Sequence, residues 1–459
     1  MGSGRPDLAD VSTARVDAVI ATVERHDAPL AGRMRVAADR LTAGEGEEVI
    51  TQAGLQRYLW YDLPRRHADD TWRPITEAAG VLLSLLGLDR YAAIARSVTT
   101  GAVLDAWEEA PGKGFPAFRS ATAASGVEPP DTELLAWGEV FGMEEAWALQ
   151  AVEVALEEAI VAGRLQPGMG SWRKVAARVS DGVLQAPPSG DAAMTRLQAV
   201  LSERIDTWVL HGHPAELRAW REEARASMDH LDAVDVAPSE AAAAIAPMYW
   251  LLEWCREGVA LTQAGYLPPA LVHEAVDRFG WWEFRGRPRS EVDVHQLGVL
   301  RDTATRLRLV ATRSRRLAAT RRGALLADDP PALFRQVATT LACEDEYLAM
   351  LSELVAHRLL AGPAVGHALE RDVGPVIAAQ GWRAGREPVT AERAGLSVHR
   401  ALYHWRLFGF LDETRPRWEG GQQVEAAVTA LTPAGRTAAI ALLRARANAP
   451  GRRSNIGSG

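Results

Sequence analysis

Residues 261–323 read LTQAGYLPPALVHEAVDRFGWWEFRGRPRSEVDVHQLGVLRDTATRLRLVATRSRRLAATRRG. Pro268 and Pro269 suit the first turn of a helix, and the apolar spacing after them predicts a helix to about Phe279. Glu291 to about Leu307 predicts a second helix, because Val294, Leu297, Leu300 and Ala304 recur at three- or four-residue spacing. Leu307-Arg308-Leu309-Val310 and Leu317-Ala318-Ala319-Thr320 then predict two short strands around a polar turn at 312–316.

Helix, helix and hairpin is the element order of a winged helix, a relative of the helix-turn-helix. There the second helix can enter the DNA major groove and the hairpin can touch backbone phosphates. A second copy is expected at 386–446. Ala394 to Leu411 forms a helix with Leu402, Trp405 and Phe408 on one face, and 414–432 fits a hairpin with Gly420-Gly421 at its tip. Leu431-Thr432-Pro433-Ala434-Gly435-Arg436 resembles the end of the wing in many bacterial winged-helix proteins. Ala319-Thr320-Arg321-Arg322-Gly323 shares its Thr-x-x-Gly.

Upstream, helical periodicity dominates. Val16, Val19, Ile20 and Val23 line one face, and 143–163 is a helix with Glu144 and Glu145 at its start and Gly163 at its end. Pro130-Asp131 marks another helix start. Alternating patterns are almost absent before residue 305. The expected fold class is mainly α: a helical N-terminal half, then two winged-helix-like modules with short β-hairpins, with more than half of the residues helical. Loop-like runs at 185–191, 236–240 and 328–331 set the expected boundaries. They give a helical domain at 5–187, a helical connector at 191–235, a first module at 238–330, a second connector at 331–382 and a second module at 383–456. Met1-Gly2-Ser3-Gly4 and Gly457-Ser458-Gly459 read as linkers outside the fold. The six-residue echo between 50–55 and 261–266 places Thr51 and Thr262 where each can cap a helix.

Charge divides the chain. The 459 residues carry a net −8, yet 256–459 hold 28 Arg against 21 acidic residues, leaving the first 255 residues strongly acidic. The densest basic run is 301–322, where only Asp302 opposes eight arginines. Lys occurs only at Lys113 and Lys174. With abundant Ala, Gly and Pro, that usage suggests a high-G+C bacterial genome. No apolar run is long enough to cross a membrane, and no signal peptide is visible. Two cysteines, Cys255 and Cys343, are too few for a disulfide framework and fit a reducing cytoplasm, the expected location.

Catalytic and cofactor motifs are missing. There is no phosphate-binding Gly-x-x-x-x-Gly-Lys-[Ser/Thr] loop, no His-Glu-x-x-His and no Gly-x-Ser-x-Gly. Pro111-Gly112-Lys113-Gly114-Phe115 reads as a surface turn. His211 and His213 flank a Gly and could chelate a metal, but with no third ligand nearer than His230 they read as a helix-end loop. His67, Asp69 and Asp70 read as a solvated loop, and 344–346 as a helix start. No catalytic, cofactor or metal residue is therefore expected. The 15 Trp residues read mostly as core, with an aromatic pocket or an interface as the other reading. Trp281-Trp282 suits packing between modules.

Several stretches carry a broader resemblance: 249–253 (Tyr-Trp-Leu-Leu-Glu), 258–269 (Gly-Val-Ala-Leu-Thr-Gln-Ala-Gly-Tyr-Leu-Pro-Pro), 325–331, 55–64 and 134–142. In these the chain resembles a group of multi-domain proteins from high-G+C bacteria without established activity. The resemblance implies one natural multi-domain unit and supplies no catalytic residue.

The expected function is non-enzymatic and regulatory or DNA-associated. Arg301 and Arg306 on the second helix of the first module, with Arg313, Arg315 and Arg316 on its wing, are the expected nucleic-acid contacts. Arg400, Arg406, Arg415 and Arg417 of the second copy are offset by Asp412, Glu413 and Glu419, and a basic tail follows. The acidic half is expected to avoid DNA and to mediate oligomerisation or partner binding, with Trp60 and Trp72 as contacts if exposed. Two alternatives stay open: a protein-interaction scaffold whose winged helices do not touch DNA, and an enzyme whose site assembles from distant residues.

Overall fold

The computed structural model describes residues 8–189, 193–228, 237–341, 345–419 and 422–451. Helix makes up 66% and strand 7%, the strands lying in small antiparallel sheets. Two compact units form. One comprises the described residues up to Glu203 with Pro450 and Gly451; the other is Arg204–Ala449.

The first unit is helical and holds three apolar clusters. Val16 and Ile20 join Met34 and Leu82 in one, as their spacing predicts. A second surrounds Trp60, Trp72 and Trp107. The Trp60 indole donates to Thr100 Oγ1 at 2.8 Å, and the Trp107 indole donates to the Trp60 carbonyl at 2.9 Å. Trp60 and Trp72 are thus core residues, 2% and 7% exposed, and cannot serve as the contact surface that was expected of them if exposed. A third cluster packs helix Met143–Val161 on helix Trp172–Gln185.

Some expected elements change here. Asp131 starts no helix; its carboxylate instead accepts the Trp137 N–H at 2.9 Å within a loop. The 111–115 stretch is the first turn of helix Pro111–Ser125 rather than a surface turn. Gly114 is required there, because a Cβ would lie 2.1 Å from the Trp107 ring. Asp69 and Asp70 open helix Asp69–Leu85, where the dipole favours them, instead of lying in a loop.

The second unit repeats one chain path. Helix Ala246–Cys255, strand Val259–Ala260, helices Pro269–Phe279 and His295–Arg306, and strands Val310–Arg313 and Arg316–Ala319 come first. Helix Glu346–Ala361, strand Ala364–Val365, helices Ala368–Ala379 and Ala391–Leu407, and strands Leu411–Thr414 and Val428–Leu431 follow. In both copies the short first strand pairs with the last strand, which sits in the middle of the sheet. The second hairpin is longer, extended by the paired strands Arg417–Glu419 and Gln422–Glu425. Its Gly420-Gly421 tip lies outside the described residues.

The same backbone device closes each copy. Leu309 N–H donates to the Ala304 carbonyl at 2.9 Å, ending the 295–306 helix, and Arg308 takes a positive φ of 56°. Thr320 N–H returns to the Leu309 carbonyl at 2.8 Å, while Thr320 Oγ1 accepts the Gly323 N–H at 3.0 Å and caps helix Arg321–Ala327. Phe410, Gly409 and Thr432 repeat this arrangement, with Gly435 N–H donating to Thr432 Oγ1 at 2.9 Å. A Cβ on Gly323 would stand 2.0 Å from the Leu309 oxygen, and one on Gly435 would stand 1.9 Å from the Phe410 oxygen.

The first hairpin lies about three residues later than expected on its leading strand, because the left-handed Arg308 uses up the end of the helix. The 291–307 helix is split: a short 3-10 turn, Glu291–Asp293, precedes Val294, which leaves helical geometry. Helix Ala391–Leu407 starts earlier than expected, where Thr390 Oγ1 accepts the Arg393 N–H at 3.2 Å. Of the Thr51 and Thr262 echo, only Thr51 caps a helix; Thr262 closes a turn with Tyr266.

A buried charge cluster ties three helices of this unit together, Ala215–Met228, Glu346–Ala361 and Pro433–Ala447. Glu353 has no solvent exposure. Arg221 lies 2.7 Å from its Oε1 and Arg446 lies 3.1 Å from its Oε2. His357, one turn along, stacks on Trp208 at 5.8 Å. Burial pushes its imidazole down to about 4, the neighbouring Glu353 charge opposing and the Arg221 charge assisting.

Gly323→Ala and Gly435→Ala each cost about 2–3 kcal/mol, because the obstructing atom is backbone. Gly298→Ala, in a helix with open space around it, gains about 0.5–1 kcal/mol, and urea midpoints read all three. For His357, the unfolded chain takes up a proton near pH 6.5 that the fold refuses until about pH 4. Stability from this group is therefore level above pH 7 and falls by about 2 kcal/mol between pH 7 and 5. His357→Phe removes that component of the slope.

Candidate nucleic-acid interface

The 310–319 hairpin turns through Ser314 and Arg315, both left-handed, with φ of 47° and 59°. Two-residue hairpin turns need this geometry and ordinarily use Asn-Gly. Here strain on non-glycine residues is tolerated because the turn is held from outside. Leu261 N–H donates to the Arg315 carbonyl at 2.9 Å, and the Arg315 guanidinium donates to the Thr262 carbonyl at 2.9 Å. Arg316 Nη2 similarly donates to the Gly258 carbonyl at 2.6 Å. These bonds fix the two guanidinium groups at the surface without neutralising them.

The five expected contacts separate into different environments. Arg313, Arg315 and Arg316 are exposed on the hairpin, with Arg313 and Arg316 directly paired across it. Arg301 is engaged inside the fold: it lies 2.9 Å from Glu291, which is 4% exposed, and also donates to the Gly265 carbonyl at 3.0 Å. Glu291 in turn accepts the Leu267 N–H at 2.7 Å. Arg306 is exposed and lines a cleft of about 470 Å³ with Val299, Asp302, Thr305, Asp345 and His404. Beside it the outer face of the 295–306 helix meets the 391–407 helix, where His295 and Tyr403 rings lie 4.6 Å apart.

Three further cations extend the hairpin patch. Arg308, Arg321 and Arg322 are exposed, and Thr320 Oγ1 donates to the Arg308 carbonyl at 2.7 Å, which brings the base of the hairpin to the start of the next helix. All three lie in the basic run, but its pattern did not separate exposed arginines from engaged ones. Among the described residues, none of the six guanidinium groups at 308, 313, 315, 316, 321 and 322 pairs with a carboxylate. In the second copy, Arg406 pairs with Glu413 at 2.7 Å, Arg415 with Glu283 at 2.7 Å and Arg417 with Glu425 at 3.2 Å.

Other candidate chemistry is sparse. Among the described residues no group of three or more His, Cys, Asp and Glu could hold a metal ion, and no helix is long and apolar enough to cross a membrane. His230, Cys343, Glu344 and the tail arginines Arg452 and Arg453 lie outside the described residues. Cys255 is buried, which pushes its thiol up to about 12, away from nucleophilic use.

Arg301→Ala is expected to cost about 2 kcal/mol of stability, since it strands a buried carboxylate. Arg313→Ala is expected to change stability by less than about 0.5 kcal/mol. Chemical denaturation of the two variants checks the contrast. Comparison of the chain with protein-family models, with curated proteins and with solved structures finds no match.

Proposed function

We propose that the chain is a non-enzymatic, DNA-associated protein of regulatory type, with two winged-helix modules in tandem. The hairpin of the first module holds backbone phosphates of duplex DNA, and the acidic helical half recruits a protein partner or a second copy. The observation that carries this reading is the set of six exposed arginines at 308–322 with no carboxylate partner. Phosphate oxygens suit such a set, because guanidinium groups bind them at close range and release condensed counterions. The helix path, the sheet order and the repeated Thr-x-x-Gly closure support the module assignment. With Arg301 engaged and the 295–306 helix facing the 391–407 helix, contact through the hairpin is favoured over base reading from that helix. Such binding is weakly selective for sequence.

If about four phosphates are neutralised, log affinity falls against log salt with a slope of about −3.6. Arg313→Ala with Arg321→Ala flattens that slope by about two units and leaves the fold intact. Undetectable binding to varied duplexes at about 50 mM salt overturns the reading. The scaffold reading then takes its place, favoured by the same His295–Tyr403 contact, which partly covers the helix that would otherwise read bases.

A further inference from the structure

The loop between helices Pro269–Phe279 and His295–Arg306 contains Trp281-Trp282-Glu283-Phe284-Arg285-Gly286-Arg287-Pro288-Arg289. It is tied down along its whole length. Trp281 stacks on Phe279 with ring centroids 4.8 Å apart. The Trp282 indole donates to the Gly286 carbonyl at 2.7 Å, across a turn in which Gly286 has a φ of 87°. His273 Nε2 lies 2.9 Å from the Pro288 carbonyl, Arg287 lies 3.0 Å from Asp277, and Arg289 N–H donates to Asp293 at 2.7 Å.

Despite these ties, the loop holds the Phe284 ring in water, 75% exposed, edge-on to Trp282 at 5.1 Å. Arg285 and Arg289, one and five residues further along the loop, are exposed, as is Arg287, which is paired with Asp277. The one acidic residue of the loop, Glu283, is neutralised by Arg415 at 2.7 Å. An exposed aromatic face on a braced loop that also carries the exposed Arg285 and Arg289 combines the two elements that hold single strands: a stacking platform and cationic groups for phosphates. An apolar docking surface would gather further aliphatic side chains, whereas the other exposed side chains of this loop, Glu283, Arg285, Arg287 and Arg289, are charged.

We infer that this loop binds single-stranded nucleic acid, with an unpaired base stacked on Phe284 and flanking phosphates held by Arg285 and Arg289. The site uses different residues and a different form of nucleic acid from the duplex contact at 308–322, so either can fail without the other.

The test is anisotropy of a labelled fifteen-residue oligothymidylate with the full chain at about 50 mM salt. Wild-type binding is expected, weakened about tenfold by Phe284→Ala and by Phe284→Leu, and retained by Phe284→Trp. Arg285→Ala with Arg289→Ala should flatten the salt slope by about 1.4. Phe284→Ala should leave duplex binding unchanged, and Arg313→Ala with Arg321→Ala should leave the Phe284 effect on the oligothymidylate in place. Thermal melts of the variants should match wild type, since these side chains are exposed. Three outcomes each overturn the proposal: no oligothymidylate binding by the wild type, no loss in Phe284→Ala, or full binding by Phe284→Leu, which would mark an apolar surface for a protein.

Discussion

In each copy of the second unit the helix, the hairpin and the following helix meet where a carbonyl oxygen presses on a glycine: Leu309 on Gly323 and Phe410 on Gly435. A side chain at either glycine would have to displace backbone. The threonine three residues before each glycine uses its N–H on that carbonyl and its hydroxyl on the glycine N–H. The hairpin is thereby set at its base by backbone and by one threonine hydroxyl. Its surface residues are released from any structural duty at its base, which leaves their charge open to vary.

The two copies use that freedom differently. The second hairpin carries arginines beside glutamates, and its charge is spent on ion pairs along its own surface and with Glu283. The first hairpin satisfies Arg315 and Arg316 with backbone carbonyls, which accept hydrogen bonds without cancelling charge. Similar folds thus present a screened surface in one case and a cationic one in the other. The engaged residue Arg301 belongs to neither class, since its guanidinium braces Glu291 against the 261–267 segment.

Much of this architecture is legible in the residues. The Pro269–Phe279 helix follows from its prolines and apolar face, and the Met143–Val161 helix from its acidic start. The Thr-x-x-Gly signal marks a real equivalence of the two copies. The Val259–Ala260 strand escapes a sequence reading because two residues carry no alternation; only pairing with Leu317 and Arg316 creates it. The break at Val294 and the left-handed Arg308 also escape, because residue preference is a weak guide to where a helix is interrupted or ends. For the site, the density of arginine is visible in the sequence but its allocation is not. Arg301 and Arg313 look alike until the position of Glu291 is known. In the 281–289 loop the sequence singles out Trp281-Trp282, as packing between modules, and not Phe284, since exposure depends on where the loop is tied.

All six cations of the first hairpin patch are arginines, and the only lysines, Lys113 and Lys174, lie in the acidic unit. A guanidinium stays protonated at any cellular pH and is not a substrate for acetyl transfer, whereas a lysine amine is. The patch is therefore deaf to the commonest enzymatic means of erasing positive charge, and its strength is left to ionic strength and to competing anions. The same distribution has a practical side: amine-directed dyes or cross-linkers attach to side chains only at positions 113 and 174, leaving the hairpin chemically untouched.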